Sequence, residues 1–289
     1  MNAKPFLLLA FALVHISACS DKDDTPDART PFVDVPVTVK LGTQYPEVSG
    51  MAASYSQPGN LWLMEDGGNP TRIALVGTDG SFRKNVILRS ITNRDWEEMS
   101  IVKGQGSGPA QLYVADIGNN NAAAIQPIIY NFDEPAAGTD TVQTFRTIRF
   151  NYPDGNRDAE AFLVDPLTRD IFIITKREEK SGIYRIAFPY ADNAPAEKVG
   201  ELGYNSAVAA DISQDGTEIL VKTYSNIWYY KRKTGEPVAL ALSRVPVQLG
   251  YQLELQGESL CLGADNQGFY TVPEMPVAGD QSLGYYHRR

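Results

Sequence analysis

The sequence predicts an all-β fold, a β-propeller of five four-stranded blades. Three observations predict it: the lack of long helical periodicity, the alternation of short apolar runs with turns, and a repeat of about 50 residues. No long stretch of the 289 residues has the 3.6-residue period of an amphipathic helix. Turns rich in Gly, Asp, Asn or Pro separate the apolar runs, as expected for short β-strands.

The repeat becomes visible when the first apolar residues of five similar openings are aligned. The openings are "SGMAAS", "EEMSIV", "EAFLVD", "ADISQD" and "ESLCLG", aligned at Met51, Met99, Phe162, Ile212 and Leu260. Successive openings therefore lie 48, 63, 50 and 48 residues apart. Such a period is typical of propeller blades, whereas a β-sandwich would not explain a fixed spacing.

Each opening is expected to form the inner strand of a blade, which lines the central channel. The second strands are predicted at "LWLMEDGG", "LYVADIGNN", "IFIITKRE", "ILVKTYSN" and "FYTVPE". The last unit has only three runs, so we expect residues 33–41, "VDVPVTVKL", to supply its outer strand and close the ring. The 63-residue second unit leaves six blades as the alternative.

The first residues have the pattern of an export signal with a lipid attachment site. Lys4 precedes the apolar run "PFLLLAFALVHI", which is too short to span a bilayer as a mature helix. The run ends in "ISAC", which resembles the lipobox of bacterial lipoproteins. We therefore expect residues 1–18 to be a signal peptide and Cys19 to carry a lipid that anchors the protein to a membrane. An ordinary secretory peptide is the alternative.

Residues 19–31 are predicted to be a flexible acidic tether, and residues 32–289 a single propeller domain. The tether begins with "SDKDD" at 20–24, which is similar to the acidic signal that directs some lipoproteins to the cell surface. A solvated linker is the alternative. The expected location is thus the outer membrane, with surface exposure if the acidic signal operates.

The net charge and the number of histidines limit the kinds of partner and of catalytic site that the protein can have. The chain has 35 acidic and 26 basic residues, for a net charge of −9, which disfavours nucleic acid and favours cations. Only two histidines are present, His15 in the predicted signal and His287 near the last residue. The composition therefore argues strongly against a Ser-His-Asp triad and a histidine zinc site.

Glutamates recur at one position of the repeat. The residues two before the aligned positions are Ser49, Glu97, Glu160, Ala210 and Glu258. Three of five blades thus direct a glutamate from the same register toward the channel axis. Ligands that are all oxygen suit a hard cation, and several carboxylates from separate blades suit Ca²⁺ better than Mg²⁺. We predict a calcium site formed by Glu97, Glu160 and Glu258.

Further polar residues are expected around this site, at the ends of the second strands and beside the inner strands. The predicted rim for a ligand is Asp66, Asn119, Arg177, Asp211 and Glu274. Lys176 could instead neutralise one glutamate, which leaves open a Glu–Lys network that only stiffens the channel. In an enzyme, Asp116 would be the base and Lys176 would stabilise developing negative charge.

The segments "DWEEMSIV", "DAEAFLVDP", "AADISQDGTEILVKTY" and "GESL" resemble those of exported bacterial propeller lipoproteins of the SdiA-regulated, NHL-like group. More distantly, the chain is similar to phytase-like esterase and gluconolactonase-type propellers. The resemblance covers about residues 40–275. In the enzymatic relatives, channel carboxylates hold calcium, and the resemblance places this role on Glu97, Glu160 and Glu258.

Three functions remain in consideration. The leading one is a lipid-anchored propeller that binds a cation, expected to be calcium, in its acidic channel and a small polar ligand, a glycan or an envelope protein at its rim. The second is a calcium-dependent hydrolase of an ester, lactone or phosphoester. The third is a structural scaffold without catalysis, in which ion pairs seal the channel.

Overall fold

The structure is a computed structural model that describes residues 30–42, 44–274 and 281–289. They form five small sheets arranged in a ring, which confirms the five-bladed propeller over the six-bladed alternative. The predicted signal segment and Cys19 lie outside the described residues. Among the described residues the helix content is one short helix, α1 (Val238–Leu242), and no helix there is long and apolar enough to cross a membrane.

The strands follow one another blade by blade along the chain, after an initial strand β1 (Val37–Gly42). Blade 1 consists of β2 (Val48–Ala53), β3 (Asn60–Glu65), β4 (Arg72–Gly77) and β5 (Phe82–Leu88). Blade 2 consists of β6 (Trp96–Val102), β7 (Gln111–Asp116), β8 (Ile128–Asp133) and, after the two-residue β9 (Thr141–Val142), β10 (Arg146–Asn151).

The second half of the chain repeats this order. Blade 3 consists of β11 (Ala159–Val164), β12 (Ile171–Thr175), β13 (Gly182–Ile186) and, after β14 (Ala194–Pro195), β15 (Glu197–Glu201). Blade 4 consists of β16 (Ala207–Ile212), β17 (Glu218–Thr223), β18 (Ile227–Lys231) and, after α1, β19 (Val247–Gln248). Blade 5 contains β20 (Ser259–Leu262), β21 (Gly268–Val272) and β22 (Gln281–His287).

The outer strand of blade 5 comes from the start of the described chain. β1 pairs antiparallel with β22, so that Val37 lies opposite Tyr285 and Val39 opposite Leu283. An additional bridge joins Phe32 to Arg288. The predicted closure of the ring by residues 33–41 is therefore confirmed.

Two short strands link neighbouring blades by parallel pairing. β9 leaves the second unit and pairs with β5 of blade 1, and β14 leaves the third unit and pairs with β10 of blade 2. The excursion through β9 contributes to the length of the 63-residue unit, which contains no sixth blade. These additions also cover part of the open edges of blades 1 and 2.

The hydrophobic core is divided into five clusters, one between each pair of neighbouring blades. Trp62 of blade 1 and Trp96 of blade 2 are fully buried in the same cluster. Burying a large side chain in this way contributes about 1.5–3 kcal/mol to the free energy of unfolding. The packing between blades therefore holds the inner strands at fixed positions around the channel.

The inner strands β2, β6, β11, β16 and β20 contact one another around the axis. We call the end of the channel at which they begin the mouth. Away from the mouth, hydrogen bonds cross the axis from blade 4 to blade 2: the Ala210 N–H donates to Glu98 Oε2 at 3.3 Å. Gln214 Nε2 donates to the Ile101 carbonyl at 3.2 Å.

Candidate metal centre

The glutamates of the mouth are presented by β-bulges at the start of the inner strands. Glu97 in β6 and Glu160 in β11 are the extra residues of such bulges, because the pairing with the next strand skips them. A bulge redirects a side chain away from the regular alternation of a strand. Ser49 occupies the corresponding position in β2. Glu258 immediately precedes β20.

The structure corrects the predicted register of blade 4. The residue skipped by the pairing of β16 with β17 is Val208, so Val208 and not Ala210 corresponds to Glu97 and Glu160. The alignment was wrong by two residues because β16 is apolar from Ala207 to Ala210, and an unbroken apolar run does not define a register. Both residues are apolar, so the set of three glutamates is unchanged.

The three predicted metal ligands lie close to one another at the mouth, and we call this cluster of side chains, with the neighbours described below, the pocket. Glu97, Glu160 and Glu258 are all buried. Burial raises the pKa of Glu97 well above its usual value, and the carboxylate of Glu160 is the next cause. Burial raises the pKa of Glu160 to about 8, with Glu258 as the next cause. Each carboxylate is thus within electrostatic reach of the others.

Two of these glutamates are already paired with protein groups. Lys176 Nζ donates to Glu160 Oε1 and lies 3.9 Å from Glu258 Oε1. Lys176 Nζ also donates to the Tyr224 hydroxyl at 2.7 Å, and this hydroxyl donates to Glu258 Oε1 at 2.5 Å. We call these four residues the lysine network. Burial raises the pKa of Tyr224 above its usual value, so that the phenol remains a hydrogen-bond donor.

The other half of the pocket is an acidic triad formed by Asp66, Asp95 and Glu97. One carboxylate oxygen from each lies within 4.8 Å of those of the other two. Burial raises the pKa of Asp66 to about 6, above its ordinary value. The hydrogen bond from the Gly67 N–H opposes this shift, and the nearby carboxylate of Asp95 adds to it. Across residues 30–42, 44–274 and 281–289 the structure pairs no lysine or arginine with the triad at ion-pair distance.

Two glycines make room for the triad. A Cβ atom at Gly118 would lie 2.0 Å from Glu97 Oε1 and 2.5 Å from Asp95 Oδ2. A Cβ atom at Gly67 would lie 2.7 Å from Asp95 Oδ1. A Cβ atom essentially never lies closer than 3.0 Å to a nonbonded heavy atom, so any other residue at these positions would force the carboxylates or the backbone to move.

Glu274, predicted as part of the rim, lies beside the same pocket. Burial raises its pKa to about 8, and the next causes are Glu258 and Asp66, both members of the pocket. Glu274 also shares a hydrogen bond with Glu258. Six carboxylates therefore face one ammonium group in this part of the described structure, and the pocket carries an excess of negative charge.

Three other predicted residues are occupied by structural contacts. Asp116 is buried and forms an ion pair with Arg94, at 2.8 Å from the Arg94 Nη2 atom. Asp116 also accepts a hydrogen bond from the Asp95 N–H at 3.2 Å, so its carboxylate holds the backbone behind the triad. Arg177 pairs with Asp158, and the Asn119 N–H donates to the same carboxylate at 2.8 Å.

Asp211 does not lie at the rim. It is the fifth residue of β16, near the end of the inner strand that is opposite to the mouth. Its carboxylate accepts hydrogen bonds from the N–H groups of Ile212 and Leu262, both at 2.8 Å. Burial raises its pKa to about 7. The expectation that Asp211 contributes to the ligand rim is therefore wrong, because this expectation counted sequence distance and not depth along the channel.

Asp95 and Tyr224 belong to the site but are not among the residues predicted from the sequence pattern. Asp95 lies next to the inner strand in the quoted segment "DWEEMSIV". Tyr224 directly follows β17, as Lys176 follows β12 and Asp66 follows β3. Aligning the ends of the second strands would have revealed Tyr224, because equivalent positions in a propeller point to the same part of the mouth.

The donor set fits a hard divalent cation. All side-chain donors of the triad are carboxylate oxygens, the ligands that Ca²⁺ prefers. In addition, Glu160 Oε2 is buried and has no hydrogen-bond partner among the described residues. A buried carboxylate oxygen without a partner is costly, and a bound cation would satisfy it.

One comparison with a solved structure supports the fold. No family model matches the sequence, and no characterised protein matches it in sequence. The structure is similar to that of a gluconolactonase from Xanthomonas campestris, with a TM-score of 0.51 and 10% identity over 86% of this chain and 74% of the other. A hydrazine synthase from Kuenenia stuttgartiensis gives a TM-score of 0.40 at 11% identity, over 78% and 68% of the two chains.

At 10% identity, the likeness to the gluconolactonase shows the propeller fold alone. It supports the gluconolactonase-type propeller part of the resemblance drawn from the sequence. The lipoprotein and SdiA-regulated parts remain predictions.

Proposed function

We propose that this protein is a lipid-anchored β-propeller of the bacterial envelope that binds a divalent cation, Ca²⁺, at the acidic mouth of its channel. The observation that carries the proposal is the acidic triad: one carboxylate oxygen from each residue lies within 4.8 Å of the other two, and no ion pair among the described residues involves them. Anchoring through Cys19 and location at the outer membrane are part of the proposal and rest on the sequence pattern of residues 1–24.

Electrostatic repulsion among ionised carboxylates favours either bound protons or a bound cation. Two carboxylates about 5 Å apart at an effective dielectric constant near 20 repel each other by about 3 kcal/mol. Three mutual pairs then approach about 10 kcal/mol, which is comparable with the whole stability of a domain. A divalent cation replaces this repulsion by attraction. Burial is the largest cause of the raised pKa values of Asp66, Asp95 and Glu97, and neighbouring carboxylates raise them further.

In this proposal the ion is held by Asp66, Asp95 and Glu97, with Glu160 Oε2 as a further ligand. Three or four protein oxygens leave several of the 6–8 positions of Ca²⁺ for water or ligand oxygens. Hydroxyl and carboxylate oxygens of a small polar ligand, a glycan or a partner protein would complete the shell. Arg177, beside the pocket and about half exposed, would contact such a ligand from the rim.

Calcium titration of the purified protein tests the proposal. We expect isothermal titration calorimetry to give one bound Ca²⁺ per chain and chelator to lower the thermal midpoint. Glu97→Gln should weaken binding by about tenfold or more, since affinity follows the number of charged ligands. Glu179→Gln, a change at an exposed glutamate, is the matched control and should bind normally.

An unchanged thermal midpoint with chelator, together with no heat of calcium binding, would instead support the structural scaffold. In that case the lysine network would be one of the ion-pair systems that stiffen the channel.

A second candidate function is hydrolysis of an ester or lactone. The observation that favours it is the partly buried Glu274, whose pKa of about 8 suits a general acid or base near neutral pH and which lies beside the pocket. Glu274 is the better base, because Asp116 is held by Arg94. The cation would polarise the carbonyl, and Lys176 would stabilise the developing negative charge.

A panel of esters, lactones and phosphoesters with added Ca²⁺ tests this candidate. We expect any hydrolysis to lose at least about tenfold in kcat in Glu274→Gln. Asp116→Asn should lower the free energy of unfolding and leave kcat nearly unchanged, because Asp116 is paired with Arg94. Hydrolysis that survives Glu274→Gln unchanged would remove Glu274 as the base, and a panel without turnover would leave the binding function.

A further inference from the structure

The mouth contains two adjacent positions that each suit a cation. The first is the acidic triad. The second lies between Glu160 and Glu258, where the ammonium group of Lys176 occupies it, and Glu274 shares a hydrogen bond with Glu258. The two positions share Glu160, whose Oε1 accepts from Lys176 while its buried Oε2 has no partner among the described residues.

The surroundings of Lys176 Nζ are those of a bound cation. Nζ contacts Glu160, lies 3.9 Å from Glu258 Oε1, and donates to the Tyr224 hydroxyl at 2.7 Å. It also lies 4.9 Å from the centre of the Tyr224 ring, within the range of a cation–π interaction. An ammonium is a compact point charge on a flexible stem, so Lys176 can take the place of an ion without leaving the chain.

We propose that Lys176 is a tethered cation that fills a second divalent-cation position at the mouth and thereby limits the site to one metal ion. This inference rests on the proposed function, since it assumes that the triad binds the first ion. It assigns Lys176 a specificity-determining role, because the residue decides how many ions the pocket holds.

The number of ions bears on the class of substrate. In-line displacement at phosphorus commonly uses two metal ions about 3.5–4 Å apart that stabilise both the attacking and the leaving oxygen. With Lys176 in the second position, the mouth has one ion and one ammonium. This arrangement fits the binding or activation of a carbonyl or hydroxyl oxygen, and phosphoesters are the disfavoured members of the substrate panel.

The test is the calcium stoichiometry of Lys176→Met in the full-length protein. Methionine keeps the unbranched shape and most of the length of the side chain, lacks the terminal ammonium group and removes the charge. We expect calorimetry to give one ion for the unchanged protein and two for Lys176→Met. Lys180→Met is the matched control, because Lys180 is exposed on the same blade and pairs only with Glu201 in the ion pairs of the described residues. It should bind one ion.

The outcomes separate this inference from the proposed function. One ion bound by both the unchanged protein and Lys176→Met would overturn the inference and leave the function in place. No ion bound by the unchanged protein but one by Lys176→Met would overturn the function and also the claim of a second position, because Lys176 would then occupy the first cation position. No ion bound by either would overturn both.

A second variant keeps the test valid if Lys176→Met does not fold. In the unchanged protein Glu258 faces Lys176 and Tyr224 and not the ion, so Glu258→Gln should alter calcium affinity by no more than on the order of threefold. Glu97→Gln should reduce calcium affinity far more than Glu258→Gln does. An equal loss of affinity in both variants would place the ion among Glu97, Glu160 and Glu258 and overturn the inference.

Discussion

Arg232 and Asp165 form a bidentate ion pair across the interface between blades 4 and 3. Arg232 Nη1 donates to Asp165 Oδ1 and Nη2 donates to Oδ2, both at 2.9 Å. Both residues are buried, and Arg232 also donates to the carbonyls of Gly216 and Glu236. The ion pair therefore satisfies nearly all of the polar groups that it brings into the interior.

Removing one partner of this pair should strongly destabilise the protein. Asp165→Asn leaves the guanidinium of Arg232 buried without its counterion, and we expect a loss of about 3–5 kcal/mol in the free energy of unfolding. Asp34→Asn is the control, because the Asp34–Arg289 pair is about half exposed and should contribute about 0–1 kcal/mol. Urea unfolding measures both. Similar losses in the two variants would contradict the prediction.

Gly118→Ala should disrupt the acidic triad without unfolding a blade. The new Cβ atom would lie 2.0 Å from Glu97 Oε1, so the carboxylates of Glu97 and Asp95 must move apart. We expect calcium affinity to fall by about tenfold or more, since ligand geometry and number set the affinity. Calorimetry measures the effect.

Gly138→Ala is the matched control for this substitution. A Cβ atom at Gly138 has no neighbour within 4 Å, and the backbone there is not in the left-handed region. Its calcium affinity should equal that of the unchanged protein. Equal affinity in Gly118→Ala would mean that the triad does not bind the ion.

Phe32→Ala should weaken the closure of the ring. Phe32 is 1% exposed and packs edge-on against Phe269 and Tyr229, which joins the segment before β1 to blades 5 and 4. We expect a loss of about 3–5 kcal/mol, as for other buried Phe→Ala changes. Val35→Ala, at a residue that is 70% exposed, should change stability by no more than about 0.5 kcal/mol. Thermal and urea unfolding measure the stability of both variants. Equal stability of Phe32→Ala and Val35→Ala would contradict the prediction.

Asp211 should make the protein less stable as pH rises toward 7. Burial raises its pKa from 3.8 to about 7, so between these values the folded protein holds a proton that the unfolded chain releases. The contribution of Asp211 to the free energy of unfolding therefore falls as pH rises through this window, and the penalty is complete above pH 7. The neighbouring titratable groups are Glu98, Cys261 and Tyr55.

Asp211→Asn isolates this contribution, because the carboxylates of the mouth titrate in both proteins. Urea unfolding at pH 5 and pH 8 in the presence of chelator should show a smaller loss of stability for Asp211→Asn than for the unchanged protein. Asp192→Asn, at an exposed aspartate, should keep the original pH dependence. Parallel pH profiles for all three proteins would show that Asp211 is ionised in the folded state.

The repeat in the sequence was sufficient to predict the fold. The spacing of the openings predicts five blades, and the shortage of strands in the last unit predicts that β1 completes blade 5. Both follow from local pattern and from the need to pair every strand edge. The register of β16 could not be read from pattern, because an entirely apolar strand does not indicate which residue forms the bulge.

The site was predicted less completely than the fold. The sequence identifies Glu97, Glu160 and Glu258 as residues that converge, because they share a register. It does not indicate that Lys176 already contacts Glu160, or that Asp95 lies within 4.8 Å of Glu97 as part of the triad. These relations depend on rotamers and on the close approach of backbone at Gly67 and Gly118, which three-dimensional packing determines.

The hydrogen bonds at Glu98 and Gln214 join blades 4 and 2 across the axis, away from the mouth. They place protein groups across the channel on the inner side of the triad. We therefore expect an ion to enter and leave the triad from the mouth. A partner bound over the mouth would slow the release of the ion. The rate of ion exchange would then show whether the partner is bound.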